Sequence, residues 1–297
     1  MQELKAHTQT VQSIAFANDG AIFASGGDDR RICIWDSFSG DRLGMFPRVH
    51  RAGIRHLSIS QDGKLLCSTA SDQSARLWDV AASSERAVLV QNQSAHVFSS
   101  AFSRDGKFLA VCRSSSVSEQ IIEHAEIRVW RIPDKIAIIA HLPHFAAHLA
   151  FSPNGKWLVS GGGKDLSLWS IGSFSRRESA SLRLPVGALA FSGVDNRLAV
   201  ATSREASIWS VDPFAMQLPL GRAAKALTSL AYTPDGRTLA VGGNDGIVTL
   251  WDTTSGHVRL SLRCLDDGQV RCVGVSPDGL TMVVGGQKGL LRRFDLE

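Results

Sequence analysis

Two sets of residues in the chain have the types of a nucleophilic triad. His7, Ser25 and Asp29 form one, and His50, Ser68 and Asp72 repeat it 43 positions later. A serine activated by an imidazole that a carboxylate orients is the arrangement of acyl-transfer chemistry. Here the set recurs, and each copy carries a tryptophan, Trp35 or Trp78, where a triad would need an oxyanion hole. The expectation is a structural role and no catalytic residue.

Two other constellations invite chemistry. The run HLPHFAAH brings His141, His144 and His148 together, but no cysteine or carboxylate joins them, and in a strand–turn–strand context their side chains should diverge. GGGKD at 161–165 lacks the flanking pattern of a phosphate-binding loop, and Asn92-Gln93-Ser94 is a formal glycosylation sequon. Neither metal nor cofactor is expected.

The elements that must position these residues repeat. A turn motif recurs as FANDG, ISQDG, FSRDG, FSPNG, the degenerate FSGVDN, YTPDG and VSPDG, starting at 16, 59, 102, 151, 191, 232 and 275. A second marker falls at Trp35, Trp78, Trp130, Trp169, Trp209 and Trp251, with Phe294 in the seventh place. Both keep a spacing near 43 through the whole chain, the signature of a repeat architecture. Around each turn lie short β-branched and apolar runs such as VQSIAF and FLAVC. Asp-Gly or Asn-Gly between them is a hairpin signal, because Gly takes positive φ and Asp or Asn bonds its own backbone. A third strand carries the tryptophan and a weaker fourth follows, as in DRLGMF and HVRLSL. Seven four-stranded antiparallel units predict an all-β, seven-bladed β-propeller occupying 1–297 as a single domain.

On these motifs the sequence resembles the WD40-repeat proteins over essentially its entire length. Gly doublets at 26–27, 161–162, 242–243 and 285–286 are shared with kelch propellers, but Tyr232 is the only tyrosine and Trp-Asp recurs at fixed spacing. In the WD40 family the repeat begins with the outer strand of one blade, so the chain ends interlock. QELKA (2–6) is spare before the first repeat, and no residues follow LLRRFDLE (290–297) to make a fourth strand. The N-terminal strand is therefore expected to complete the last blade and close the ring.

The resemblance also implies a hydrogen-bonded tetrad: His before the first strand, Ser on the second, Asp in the next turn and Trp on the third. His7, Ser25, Asp29, Trp35 and His50, Ser68, Asp72, Trp78 match completely. The Asp position holds His124, Gly163 and Ser203 in repeats three to five. Repeat six keeps Asp245 and Trp251 as scaffold but has Ala224 near the His place, and repeat seven has Lys288 in the turn. Blades 3 to 5 and 7 are expected to rely on packing, and the blade count is most exposed to error at the fifth repeat.

Family members bind partners on the face made by loops entering the first strand and joining the second to the third. Mapped here, those loops give two regions. One pairs a long loop, RSSSVSEQIIEHAE (113–126), with Phe98 and Phe145 as exposed aromatic anchors. The other spans blades 7, 1 and 2 with Arg30, Arg31, Arg48, Arg51, Arg55, Arg271 and Lys288, diluted by Asp28, Asp266 and Asp267. The function expected is a non-catalytic scaffold for a protein or peptide partner. The alternatives are an RNA-binding propeller and an enzyme at the channel mouth.

Composition agrees with that class. The chain of 297 residues has a formal net charge of +4, which is mild for a dedicated nucleic-acid binder. The N-terminus MQELKAHTQT has no signal-peptide pattern and no run is long and apolar enough for a helical membrane span. Five cysteines (Cys33, Cys67, Cys112, Cys264 and Cys272) contain no CxxC pair. The chain is expected to be cytoplasmic with reduced thiols.

Overall fold

The turn motif works as a local folding device, and the computed structural model shows how. In its second hairpin turn, Ser60 Oγ donates to Asp62 (2.6 Å), the Lys64 N–H donates to the same carboxylate (3.2 Å), and Leu65 N–H donates to Ser60 Oγ (2.9 Å). The Gly that ends the motif sits at φ +69°, where a side chain would be strained. Ser103/Asp105, Ser152/Asn154 and Thr233/Asp235 repeat the arrangement. The degenerate fifth turn lacks the Gly; there Arg197 bonds Asp195 (2.7 Å) and reaches the Thr253 and Gly236 carbonyls of the next blade.

The structure describes residues 1–91, 95–118, 121–132, 137–266 and 268–296. The sequon Asn92–Ser94 and Asp267 lie outside the described residues, as does the side chain of His124. Seven four-stranded antiparallel sheets form a ring. Blade 1 is Val11–Phe16, Ile22–Gly27, Ile32–Asp36 and Arg42–Met45, ordered from the channel outward. The fifth repeat is a full blade, Val186–Phe191, Leu198–Thr202, Glu205–Val211 and Phe214–Arg222. Blade 7 takes its outer strand from the other end of the chain: Gln2 pairs with Arg293 and Glu3 with Arg292, and Leu4 N–H donates to the Leu291 carbonyl (2.8 Å).

Among the described residues there is no central core; the buried apolar ones form seven clusters, each made from the facing sides of two neighbouring blades. Leu65, Cys67 and Leu77 of blade 2 meet Val97, Leu109 and Trp130 of blade 3 in one such layer. Both faces of the middle strands are covered, so Leu65–Ala70 and Thr238–Gly243 are buried throughout and show no alternation.

The Gly doublets serve these interfaces. A Cβ on Gly242 would lie 2.5 Å from Val270 Cγ1 of the next blade, and one on Gly26 would lie 2.8 Å from Ile54 Cγ2. The second Gly of a pair makes room for backbone: a Cβ on Gly27 would lie 2.5 Å from the Thr10 carbonyl.

The insertion at 113–126 departs from the loop expected. Strands Phe108–Ser118 and Ile121–Arg131 continue through it, pairing as far as Ser118 with Ile121, so it is a two-stranded arm. At its base Glu126 binds Arg113 (2.8 Å), Arg128 (2.6 Å) and His141 (2.9 Å). Burial pushes the Glu126 carboxyl up, but His141 and the two arginines outweigh it and hold the carboxyl below its usual range.

Candidate functional site: the channel mouth

The inner strands are where the ring departs from regular β-structure. Register shifts fall between Val11 and Ser13, Ile54 and His56, Val186 and Ala188, Leu227 and Ser229, and Val270 and Cys272. Blade 3 shifts between Val97 and Ser100, where two residues of the inner strand, Phe98 and Ser99, face the single Cys112 of its neighbour. A bulge leaves its extra residue unpaired and re-aims its side chain. The residues so displaced are Gln12, Arg55, Phe98 with Ser99, Gly187, Thr228 and Arg271. All line one end of the central channel, a space of about 410 Å³. Blade 4 has no shift among its paired residues, and Ala147 stands in that place.

Arg55, Arg271 and Phe98, assigned by sequence to two separate regions, therefore share one mouth. Arg55 is exposed and its Nε donates to Ser71 Oγ (2.8 Å). Arg271 Nε is buried without a hydrogen-bond partner, as is Ser229 Oγ on the adjoining blade. Gln12 Nε2 donates to both oxygens of Asp28 (3.1 and 3.0 Å), which holds that carboxylate in place. Thr228 Oγ1 donates to the Val270 carbonyl (2.7 Å) and so joins blades 6 and 7.

One layer deeper, Leu57 N–H donates to Ser13 Oγ (3.0 Å) and Ser100 N–H to His56 Nδ1 (3.4 Å), each bridging neighbouring blades. His56 and His148 both face the channel. Enclosure by the surrounding strands pushes both imidazoles down to about 4, with the neighbouring His148 adding to the effect on His56. Both rings are neutral at pH 7. Among the described residues no Asp or Glu lines this part of the channel.

Phe98 and Phe145 are not free anchors. Their rings meet edge to face at 5.8 Å, and Phe98 packs against the layer between blades 3 and 4. Phe98 remains half-buried on the channel wall. The remaining arginines sit apart from the channel. Arg30 is exposed in a hairpin turn at φ +66°. Arg31 donates to the Ala6 carbonyl (2.7 Å), and Arg51 lies exposed beside Asp72 and Arg76 on the outer rim.

The serine–histidine–aspartate sets are load carriers of the scaffold. With His50 protonated on Nδ1 toward Asp72 (3.0 Å), Ser68 Oγ donates to His50 Nε2 (2.7 Å) and accepts from the Trp78 indole N–H (2.8 Å). His7, Asp29, Ser25 and Trp35 repeat the chain at 3.0, 2.8 and 2.8 Å. Both serines are fully buried, so neither hydroxyl can meet a substrate. Burial pushes both aspartates up, but the His bonds and backbone N–H groups prevail and hold them below the usual carboxylate range.

The pairing registers show why the pattern stops where it does. The position of Ser25 and Ser68 relative to the tryptophan is Ser160 in blade 4, but Val111, Val200, Val241 and Val284 in blades 3, 5, 6 and 7. Blade 4 was expected to rely on packing alone, and it does not. His144 Nδ1 and Nε2 lie 3.1 Å from Ser160 Oγ and Ser167 Oγ, and Trp169 N–H donates to Ser160 (2.9 Å). Ser167 replaces the missing aspartate. The three neighbouring histidines thus diverge: His141 to Glu126, His144 into its blade, His148 to the channel.

The comparisons place these features among known proteins. The model of the WD domain, G-beta repeat matches residues 1–36, 42–79 and 138–170. That of the Anaphase-promoting complex subunit 4 WD40 domain matches 186–276. WD repeat-containing protein 90 of Mus musculus is 28% identical over 175 residues, 54% of this chain and 9% of its own length. The Homo sapiens protein of that name is 30% identical over 173 residues, 53% of this chain and 10% of its own. Periodic tryptophan protein 2 homolog of Dictyostelium discoideum is 55% identical over 31 residues, 10% of this chain and 3% of its own. The chain thus spans about a tenth of the length of the first two relatives or less.

Proposed function

This chain belongs to the WD40-repeat propellers, and on that premise we propose that it is a non-catalytic platform that binds a protein or peptide partner at the channel mouth. The observation that carries the reading is the ring of bulges. It turns Arg55, Phe98 and Arg271, from three different blades, toward one opening. Seven packed interfaces hold that opening, so little ordering is needed on the propeller's side when a partner arrives. Burial of all five free cysteines suits a reducing compartment, and we assign the protein to the cytoplasm on that ground.

The test is quantitative affinity capture from the source cell. Wild type is compared with Phe98→Ala and with Arg55→Glu/Arg271→Glu, after circular dichroism establishes that each is folded. A protein captured by wild type and lost from a channel-mouth variant supports the platform. Equal capture by all three moves the binding surface elsewhere. Capture of RNA alone, released steeply by salt, replaces this reading with a nucleic-acid-binding propeller.

A further inference from the structure

The chemistry of the mouth specifies more than a place. We propose that the channel mouth accepts an acidic side chain of a partner peptide, its carboxylate met by the guanidinium groups of Arg55 and Arg271; the inference rests on the platform reading above.

Charge complementarity points that way. Two guanidinium groups line the space and, among the described residues, no carboxylate does. Asp28, which is not part of the lining, is held on the Gln12 amide. His56 and His148 are neutral, so they neither balance the arginines nor crowd an incoming anion with further charge. A lysine brought here would face two cations inside poorly solvating walls, where repulsion is strong. A neutral side chain would leave the Arg271 charge uncompensated.

The donors are also of the right kind. The guanidinium groups of Arg55 and Arg271 both line the space, and charge-assisted bonds to a carboxylate are the strong ones. Arg55 is engaged through Nε with Ser71, which leaves its outer nitrogens to attract the anion at the rim. The space of about 410 Å³ is shared among seven blades, which suits one inserted side chain flanked by peptide lying on the rim. Half-buried Phe98 offers that flanking segment an apolar contact.

Bead-bound heptapeptides with degenerate flanks and a central Glu, Gln, Lys or phosphoserine test this against the fluorescently labelled full chain. The expected result is retention on Glu beads about tenfold above Gln beads, the gap between a charge-assisted and a neutral hydrogen bond. Lys beads should retain least. Arg271→Met, alone or combined with Arg55→Met, should erase the preference, with folding verified by circular dichroism. Equal retention on Glu and Gln beads overturns the proposal, as does a Glu preference that survives Arg271→Met. Retention confined to phosphoserine beads assigns the mouth to phosphate and also overturns it. If Glu and Gln beads bind alike and Phe98→Ala abolishes both, the acid preference fails while the platform stands. If no peptide pool distinguishes wild type from Phe98→Ala and Arg271→Met, both readings fall.

Discussion

Ser68→Val in blade 2 isolates what the buried polar chain contributes. The valine reproduces the residue that blades 3, 5, 6 and 7 carry at the same register. In blade 2 it strands two groups at once: the Trp78 indole N–H loses its acceptor and His50 Nε2 loses its donor. Trp78 is fully buried and His50 nearly so, hence water cannot take over. Each orphaned group costs ~1–3 kcal/mol, and the added apolar volume returns ~1 kcal/mol, for a net loss of ~1–5 kcal/mol. His50→Leu alone should cost ~1–3 kcal/mol, because Ser68 then loses its acceptor while Asp72 keeps the Arg51 N–H and Ser74. The triple variant His50→Leu/Ser68→Val/Trp78→Phe adopts the solution of blade 7, where Val284 and Phe294 occupy the matching places. It removes every stranded partner together, so it should be more stable than Ser68→Val by itself. Equilibrium urea unfolding followed by far-ultraviolet circular dichroism measures these variants and Trp78→Phe alone. A triple variant whose loss equals the sum of its single substitutions would refute the coupling and, with it, the account of the tetrad as one hydrogen-bonded unit.

Further expectations concern packing, pH, thiols and closure. Gly242→Ala should destabilise by ~2–3 kcal/mol through its clash with Val270 and Ser229. Gly155→Ala has open space and only its positive φ to strain, and should cost ~1 kcal/mol in the same unfolding assay. Because the folded-state pKa values of Asp29 and Asp72 lie below the ordinary 3.8, their stabilisation is complete above that pH and lost as pH falls through the folded values. The stability gap between wild type and Asp72→Asn, present at pH 5, should therefore close in strongly acidic titrations and not before. Burial pushes the thiols of Cys67 and Cys112 up to about 12 and those of Cys33 and Cys264 to about 11. Maleimide mass labelling should find them unmodified in the native state and fully labelled in urea. Deleting residues 1–5 bares the strand Leu291–Asp295, and light scattering should report association through that edge.

The ring was legible because two markers per repeat fix the period, and each marker has a local mechanism that survives without tertiary context. The tetrads in blades 1 and 2 were legible because all four residue types are present. Blade 4 was misread because its Asp position is Gly163, and nothing in the spacing announces that Ser167 on the third strand faces His144. The mouth was half-legible. Arg55 and Arg271 stand out as charges near loops, whereas Gln12 and Thr228 look like ordinary strand residues. Which residue turns inward is decided by a one-residue shift against the neighbouring strand, and a shift of one reverses every facing. Phe98 lies on a bulge within the strand Ala95–Phe102, and its edge-to-face contact with Phe145 joins two blades, which no local pattern encodes.

The pairing of Gln2 with Arg293 is the longest-range contact in the sheet system. Closing such a span in a disordered chain costs about 3 kcal/mol more than closing a hairpin of about a dozen residues. Two residues of strand cannot meet that cost unaided. Once the intervening blades have assembled, however, the two ends already lie side by side and the closure entropy has been spent. The N-terminal strand is therefore the last to dock and the first to register any blade that opens. An open repeat array frays from its ends. In this ring neither end is free to fray, and the first and last blades stand or fall together.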